Sequence, residues 1–190
     1  VYNATVVEKL FDKGISLIGK SSMDELAMGG TNKSALTGPV FNPWDSTRIA
    51  GGSSGGSAAL VGSGVVPFAL GSDTGDSIRK PAGFCGVVGF KPTWGRISRF
   101  RVIPYASSLD HVGAFTRNVR DMAIVTEALA GHDKRDMTSS TRDVPHYLQE
   151  LNSDIKGMKI AVLKTISNEI RNVEIKNNFN HVVETFKQLG

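Results

Sequence analysis

Apolar positions change their period several times along the chain. In "ATVVEKLFDKG", Val6, Val7, Leu10 and Phe11 share one helical face, and Gly14 supplies a stop. "ISLIG" then reads as a short buried strand. Residues 29–52 are rich in Gly, Pro, Asn, Ser and Thr and predict a long loop. A loop of that length in a compact domain is usually functional or disordered. "GGSAALVGSG" fits a short helix packed through small residues. "VVPFAL" fits a buried strand whose pairing is limited by Pro67. "GSDTGDS" reads as a turn-rich connection and "IRKPAGFCG" as a short helix. "CGVVGF" gives another buried strand. In "NVRDMAIVTEALAG", Asn118 is placed to cap a helix, Met122, Val125 and Leu129 line one face, and Gly131 ends it. "HDKRDMTSSTRDVP" is polar and linker-like, "GMKIAVL" predicts a strand, and "RNVEIKNNFNHVVETFKQLG" predicts a long helix. Strands separated by helices predict an α/β fold with a largely parallel or mixed sheet.

Composition narrows this picture only a little. Of 190 residues, 40% are hydrophobic and 21% charged, as in ordinary globular chains. Cys85 is the only cysteine, so no internal disulfide can form. The formal charge is +4 and the pI about 9.3, but Lys and Arg are scattered and form no basic block. No apolar run approaches the roughly 18 residues of a membrane span, and the first residues do not read as a signal peptide. The chain is read as a piece of a longer one.

The chemistry concentrates in residues 51–80. Two Gly/Ser clusters, at 51–57 and 71–77, flank the apolar "AALVGSGVVPFAL". Turns of this composition let backbone N–H groups converge on an anion or oxyanion. From composition alone a catalytic or anion-binding site and a structural turn are equally good readings. No Gly-Lys-Ser/Thr ending marks a P-loop and no G-x-G-x-x-G marks a dinucleotide site. "GGSSG" matches a nucleophile elbow with Ser54 at its centre, a weak match without its acid and histidine. His111, His132, His146 and His181 read as surface or capping residues, with no metal-ligand spacing among them. A Ser-His-Asp triad is therefore unsupported and a serine here needs another base, such as a lysine. Cys85 in "AGFCGVVG" reads as a small buried residue, Arg79 as an anchor of the turn, and Asp73 as an acceptor of backbone N–H bonds. Ser107–Asp110 could hold a loop near the site, but no role is readable from the residues.

"GGSSGGSAALVGSGVVPFALGSDTGDSIRKPAGFCGVVGFKPT" resembles the amidase signature family, whose enzymes use a Ser–cis-Ser–Lys triad. The resemblance implies the amidase-signature fold, a mixed β-sheet flanked by helices, with residues 1–190 as the central part of the domain. Ser77 in "TGDSIR" aligns with the family's nucleophile. Ser53, the first serine of "GGSSGG", aligns with the bridging serine that follows a cis peptide bond. The oxyanion hole maps onto Thr74, Gly75 and Asp76. There are two departures. The family's lysine lies upstream of the segment matching residue 1, and neither Lys20 nor Lys91 is its counterpart, so this chain alone is expected to be inactive. Asp76 stands where the family usually has glycine, and its carboxylate is expected to point away from the site.

The flanking stretches "IGKSSMDELAMGGTNKSALTGPVFNPWD" and "KPTWGRISRFRVIPYASSLDHVGAFTRNVRDMAIVTEALAGHDKRDMTSS", and "DIKGMKIAVLK" beyond them, look like A subunits of glutamyl-tRNA(Gln) amidotransferases. That resemblance implies a glutaminase that converts glutamine to glutamate and passes ammonia to a B subunit. There, with a small third subunit, glutamate on Glu-tRNA(Gln) is amidated. ATP and magnesium belong to the partner, and the glutaminase itself needs neither metal nor cofactor. Substrate contacts map to Met28, Gly29, Gly30 and Thr31. Asp76, Trp94, Arg101 and the basic pI look more like a fungal mitochondrial form, which implies the mitochondrial matrix; bacterial cytoplasm is the alternative. A free-standing amidase on another small or lipid amide, and a non-catalytic scaffold subunit, remain open beside this reading.

Overall fold

The computed structural model describes residues 2–190. The chain divides into two compact units, Val1–Leu148 and Gln149–Gly190. The first unit carries α1 (Thr5–Asp12), α2 (Gly55–Gly62), β1 (Phe68–Asp73), α3 (Arg79–Cys85), β2 (Val88–Phe90), β3 (His111–Thr116) and α4 (Val119–Leu129).

The sheet has the order β1-β3-β2, and both pairs are antiparallel. β1 and β2 therefore run in the same direction, joined through α3, and β3 is inserted between them. Alternating strands and helices predict parallel neighbours; here the crossover exists, but a third strand occupies the gap. "HVGAFT" was not expected as a strand, yet it is the central one. Its residues alternate between two apolar layers. Val112 and Ala114 pack with Val6 and Leu10 of α1 and with Met122, Val125 and Leu129 of α4. Phe115 packs on the opposite side with Ala58 and Val61 of α2 and with Ile78, Ala82 and Cys85 around α3. Burial on both faces removes the polar alternation that marks a half-exposed strand.

The ladder also moves a predicted boundary. β1 begins only after Pro67 and runs through Gly71, Ser72 and Asp73, which pair with Gly113, Val112 and His111. The Gly/Ser content that predicted a turn there reflects crowding: a Cβ on Gly71 would lie 2.7 Å from the Phe115 ring and 2.9 Å from Ser54 Oγ. At the other helices the expectations hold. Asn118 accepts the Asp121 N–H at 2.8 Å and caps α4. Val6 and Leu10 are buried, although Phe11 is 42% exposed and lies off the packed face.

Two predicted strands are absent. Residues 15–19 form no strand and are exposed, with Ile18 76% exposed. The segment at 132–145 is not a linker: Asp133 within it is buried and accepts bonds from Thr5 Oγ1 at 2.5 Å and Ser98 Oγ at 2.7 Å. These bonds dock it onto α1.

The second unit contains α6 (Lys164–Ser167) and α7 (Val173–Gln188), and the one-turn α5 (Tyr147–Glu150) spans its boundary. Asn172 caps α7 by accepting the Ile175 N–H at 3.0 Å. "GMKIAVL" forms no strand. None of the helices described is long and apolar enough to cross a membrane.

Candidate active site

The segment from Gly51 to Ala58 is buried throughout. It is held under a polar loop by residues that sequence inspection did not single out. Asp24, 1% exposed, donates its N–H to Ser53 O at 3.0 Å. Its carboxylate accepts Asn32 N at 2.9 Å and Ser34 Oγ at 2.8 Å. Asn32 Oδ1 in turn accepts Gly55 N at 3.0 Å. Gly52 lies so close to Asp24 and to the amides of Thr31 and Asn32 that any Cβ would collide. The only signal in sequence was the density of Asp, Asn and Ser in a loop next to glycines.

Between Gly52 and Ser53 the peptide bond is cis. Ser53 is fully buried, and its Oγ has no hydrogen-bond partner among the described residues. The turn that carries Ser77 meets this segment directly, since Ser54 N donates to Ser77 O at 3.2 Å. Ser77 is 7% exposed. Ser54 itself is structural. Its Oγ donates to Ser72 O and accepts Ser72 N, both at 3.2 Å, which leaves the elbow reading without support.

β1 ends at Asp73, and residues 74–77 form the turn into α3. Asp73 is fully buried and organises that turn from inside. One of its oxygens accepts Ile78 N at 2.9 Å and Arg79 N at 3.2 Å; the other accepts Arg79 Nη2 at 3.0 Å. Burial alone would raise the Asp73 pKa. The Arg79 guanidinium and the two backbone amides outweigh it and hold the carboxyl below its usual value. Arg79 also donates to Gly75 O, so the anchoring roles expected of Asp73 and Arg79 are met. Thr74 Oγ1 donates to Asp110 Oδ1 at 2.6 Å. The Asp76 carboxylate bonds Lys80 Nζ at 2.7 Å, one helical turn onward.

The loop at Met28–Thr31 reaches the same region unevenly. The Thr31 amide lies against Gly52, Gly29 lies against the Asp24 carboxylate, and a Cβ on Gly30 would lie 2.5 Å from Lys80 Nζ. Met28 is 56% exposed. A cavity of about 430 Å³ opens beside Thr74 and is also lined by Ser72, Arg99, Tyr105 and Asp110.

Among the described residues of the first unit, no histidine hydrogen-bonds Ser53 or Ser77. His111, His132 and His146 bond through Nδ1 to Leu109 O, Ser139 Oγ and Glu127 respectively. Lys91 Nζ lies 3.4 Å from His111 Nε2. Burial pushes the Cys85 thiol up to about 11, so it is not a thiolate nucleophile at neutral pH. Among the described residues no cluster of His, Cys, Asp or Glu is arranged to hold a metal ion.

Two Gly/Ser turns meet at a buried serine in this fold, and the chain belongs to the amidase family, whose model matches residues 1–190. Within that family it is similar to the A subunit of the glutamyl-tRNA(Gln) amidotransferase of Staphylococcus epidermidis. The identity is 51% over all 190 residues, which span 39% of that relative. The crystal structure of the Thermotoga maritima glutamyl-tRNA(Gln) amidotransferase A subunit superposes on the whole chain with a TM-score of 0.95 at 44% identity, and 42% of that protein is covered. The structure of 6-aminohexanoate cyclic dimer hydrolase matches 80% of the chain with a TM-score of 0.75 at 35% identity. It is covered over 32% of its length. Both amidotransferase relatives are bacterial, and the comparisons lend no support to a mitochondrial location.

Proposed function

We propose that this chain is the central part of a glutaminase subunit that supplies ammonia for converting Glu-tRNA(Gln) to Gln-tRNA(Gln). The observation that carries the proposal is the junction of the two serine turns. Ser54 N bonds Ser77 O, and the neighbouring Ser53 Oγ is buried and unpaired, in a chain 51% identical to an amidotransferase A subunit. A buried hydroxyl without a partner is costly, and a catalytic role is one physical reason to keep it.

In this mechanism a neutral lysine amine, from the segment that the family resemblance places upstream, takes the proton of Ser53 Oγ. Ser53 takes the proton of Ser77 Oγ as Ser77 attacks the carboxamide carbon of glutamine. The amides of the turn at Thr74, Gly75 and Asp76 stabilise the resulting oxyanion, at roughly 3–4 kcal/mol per donor in comparable sites. The C–N bond breaks, the relayed proton leaves with the nitrogen as ammonia, and water hydrolyses the Ser77 ester to glutamate. Asp76 keeps its N–H for this role, while its carboxylate turns to Lys80. Met28, Gly29, Gly30 and Thr31 contribute part of the substrate pocket. The ammonia is used on a B subunit, with a small third subunit, where ATP and magnesium act. The glutaminase chain is assigned no cofactor of its own.

The test is Ser77→Ala in the full-length protein assembled with its partner subunits. Glutamine hydrolysis is expected to fall at least ~10³-fold; hydrolysis at the wild-type rate would overturn the assignment. A second reading, a free-standing amidase, is supported by the likeness to the cyclic dimer hydrolase. It predicts brisk turnover of unrelated amides by the full-length chain alone, with no rise when partner subunits and charged tRNA are added.

A further inference from the structure

The register of β1 and β3 ends at the pair Asp73 and His111. One residue further, the backbone ladder gives way to a side-chain bond, from Thr74 Oγ1 to Asp110 Oδ1 at 2.6 Å. The same carboxylate accepts Tyr105 N at 2.9 Å and Ala106 N at 3.1 Å. Asp110 is 8% exposed, so these bonds form largely out of water, where a charge-assisted O–H···O⁻ bond is strong and directional. The Asp110 N–H returns to Ala106 O at 2.9 Å, which closes the loop on itself.

The turn at 74–77, whose Gly75 and Ser77 carbonyls accept from Arg79 and Ser54, is thus also held at both ends by carboxylates. Asp73 holds its far end through the amides of Ile78 and Arg79. Asp110 holds its near end through the Thr74 hydroxyl. We propose that Asp110 is a positioning residue for amide hydrolysis: its carboxylate fixes Thr74 against the 105–110 loop and thereby aims the N–H groups of the oxyanion turn. This rests on the assignment of residues 74–76 as the oxyanion turn. Donors stabilise a developing charge only when they are already in place, and a turn fixed at one end would have to reorganise during the reaction. Thr74 and Asp110 also share the wall of the 430 Å³ cavity, so the same bond sets part of its shape.

The test uses the full-length protein with its partner subunits and glutamine as substrate. Asp110→Asn should lower kcat by ~10-fold or more, with KM changed less than about threefold. Thr74→Val should show the same split, and Thr74→Ser, which keeps the hydroxyl, should restore kcat. Because the two residues act through one bond, the double variant should be little worse than the poorer single variant. Wild-type kcat in Asp110→Asn, or strictly additive losses in the double variant, would overturn the inference. If Asp110→Asn does not fold, the contrast between Thr74→Val and Thr74→Ser decides: equal kcat in the two overturns it. These failures are separable from failure of the glutaminase assignment. If Ser77→Ala stays active, the nucleophile and this inference fall together. If Ser77→Ala is dead and Asp110→Asn is unimpaired, only the positioning role falls. If the wild type turns over a different amide, the same kcat and KM split is read on that amide.

Discussion

Single residues around the 74–77 turn divide into those that carry charge into the interior and those that keep it out. Asp73 does the first. Its buried carboxylate satisfies two backbone amides and a guanidinium that is itself 49% exposed. Asp73→Ala would leave those amides without an acceptor and should cost about 2–4 kcal/mol, read as a lower urea midpoint. Asp76 does the second. Its carboxylate is 51% exposed and lies along α3 with Lys80, an arrangement worth little to stability. Asp76→Asn keeps the backbone N–H and should alter kcat/KM for glutamine by less than about threefold; a loss of two orders of magnitude would mean that the carboxylate itself takes part. The sequence singled out Ser53 and Ser77 as candidates, and Asp73 as an anchor of the turn, because each sits in a short ordered motif. It did not identify Asp24, Asn32 or the bond made by Asp110. Those residues reach the site across 29, 23 and 36 positions of chain, to Ser53, Gly55 and Thr74 respectively, and no local pattern encodes that reach.

At the level of elements, β3 explains most of what the apolar pattern missed. Gly113 at its centre reads as a strand breaker, yet a side chain there would strike Phe90 O of β2, so the glycine is what lets the strands approach. Gly113→Ala should therefore destabilise the protein by about 1–3 kcal/mol, and a melting temperature equal to wild type would refute the crowding. Helices were legible because capping and the 3.6-residue period are local properties, as Asn118 and the Met122, Val125, Leu129 face show. Strand boundaries were not, because β1 and β3 are set by pairing with each other. "ISLIG" and "GMKIAVL" carry the composition of strands, but in the described structure they have no partner to pair with.

Across the whole first unit, Asp133 connects α1 to the chain after α4, 128 positions away from Thr5. Lys9 reinforces the connection by donating to the carbonyls of Leu129 and Ala130 at the C-terminus of α4, where a cation is favoured. Burial would raise the Asp133 pKa, but bonds from Thr5, the Arg135 amide, Ser98 and the Arg135 side chain hold it far below the usual carboxylate range. A carboxyl depressed in the folded state stabilises above its unfolded pKa of about 3.9, and that stabilisation is lost as pH falls towards the folded value. The urea midpoint should thus drop between about pH 5 and pH 2, and Asp133→Asn should flatten that slope. An unchanged slope would show that the link does not titrate with folding.

The insertion of β3 between two older neighbours in the chain sets an order of events during synthesis. β1 and β2 are both complete by residue 90, but neither can form its ladder until residues 111–116 arrive. A nascent chain halted in that interval presents two strands unpaired on both edges, each inviting a foreign strand. Proteins stopped just before His111 should collect in aggregates, whereas those extended through α4 should stay dispersed.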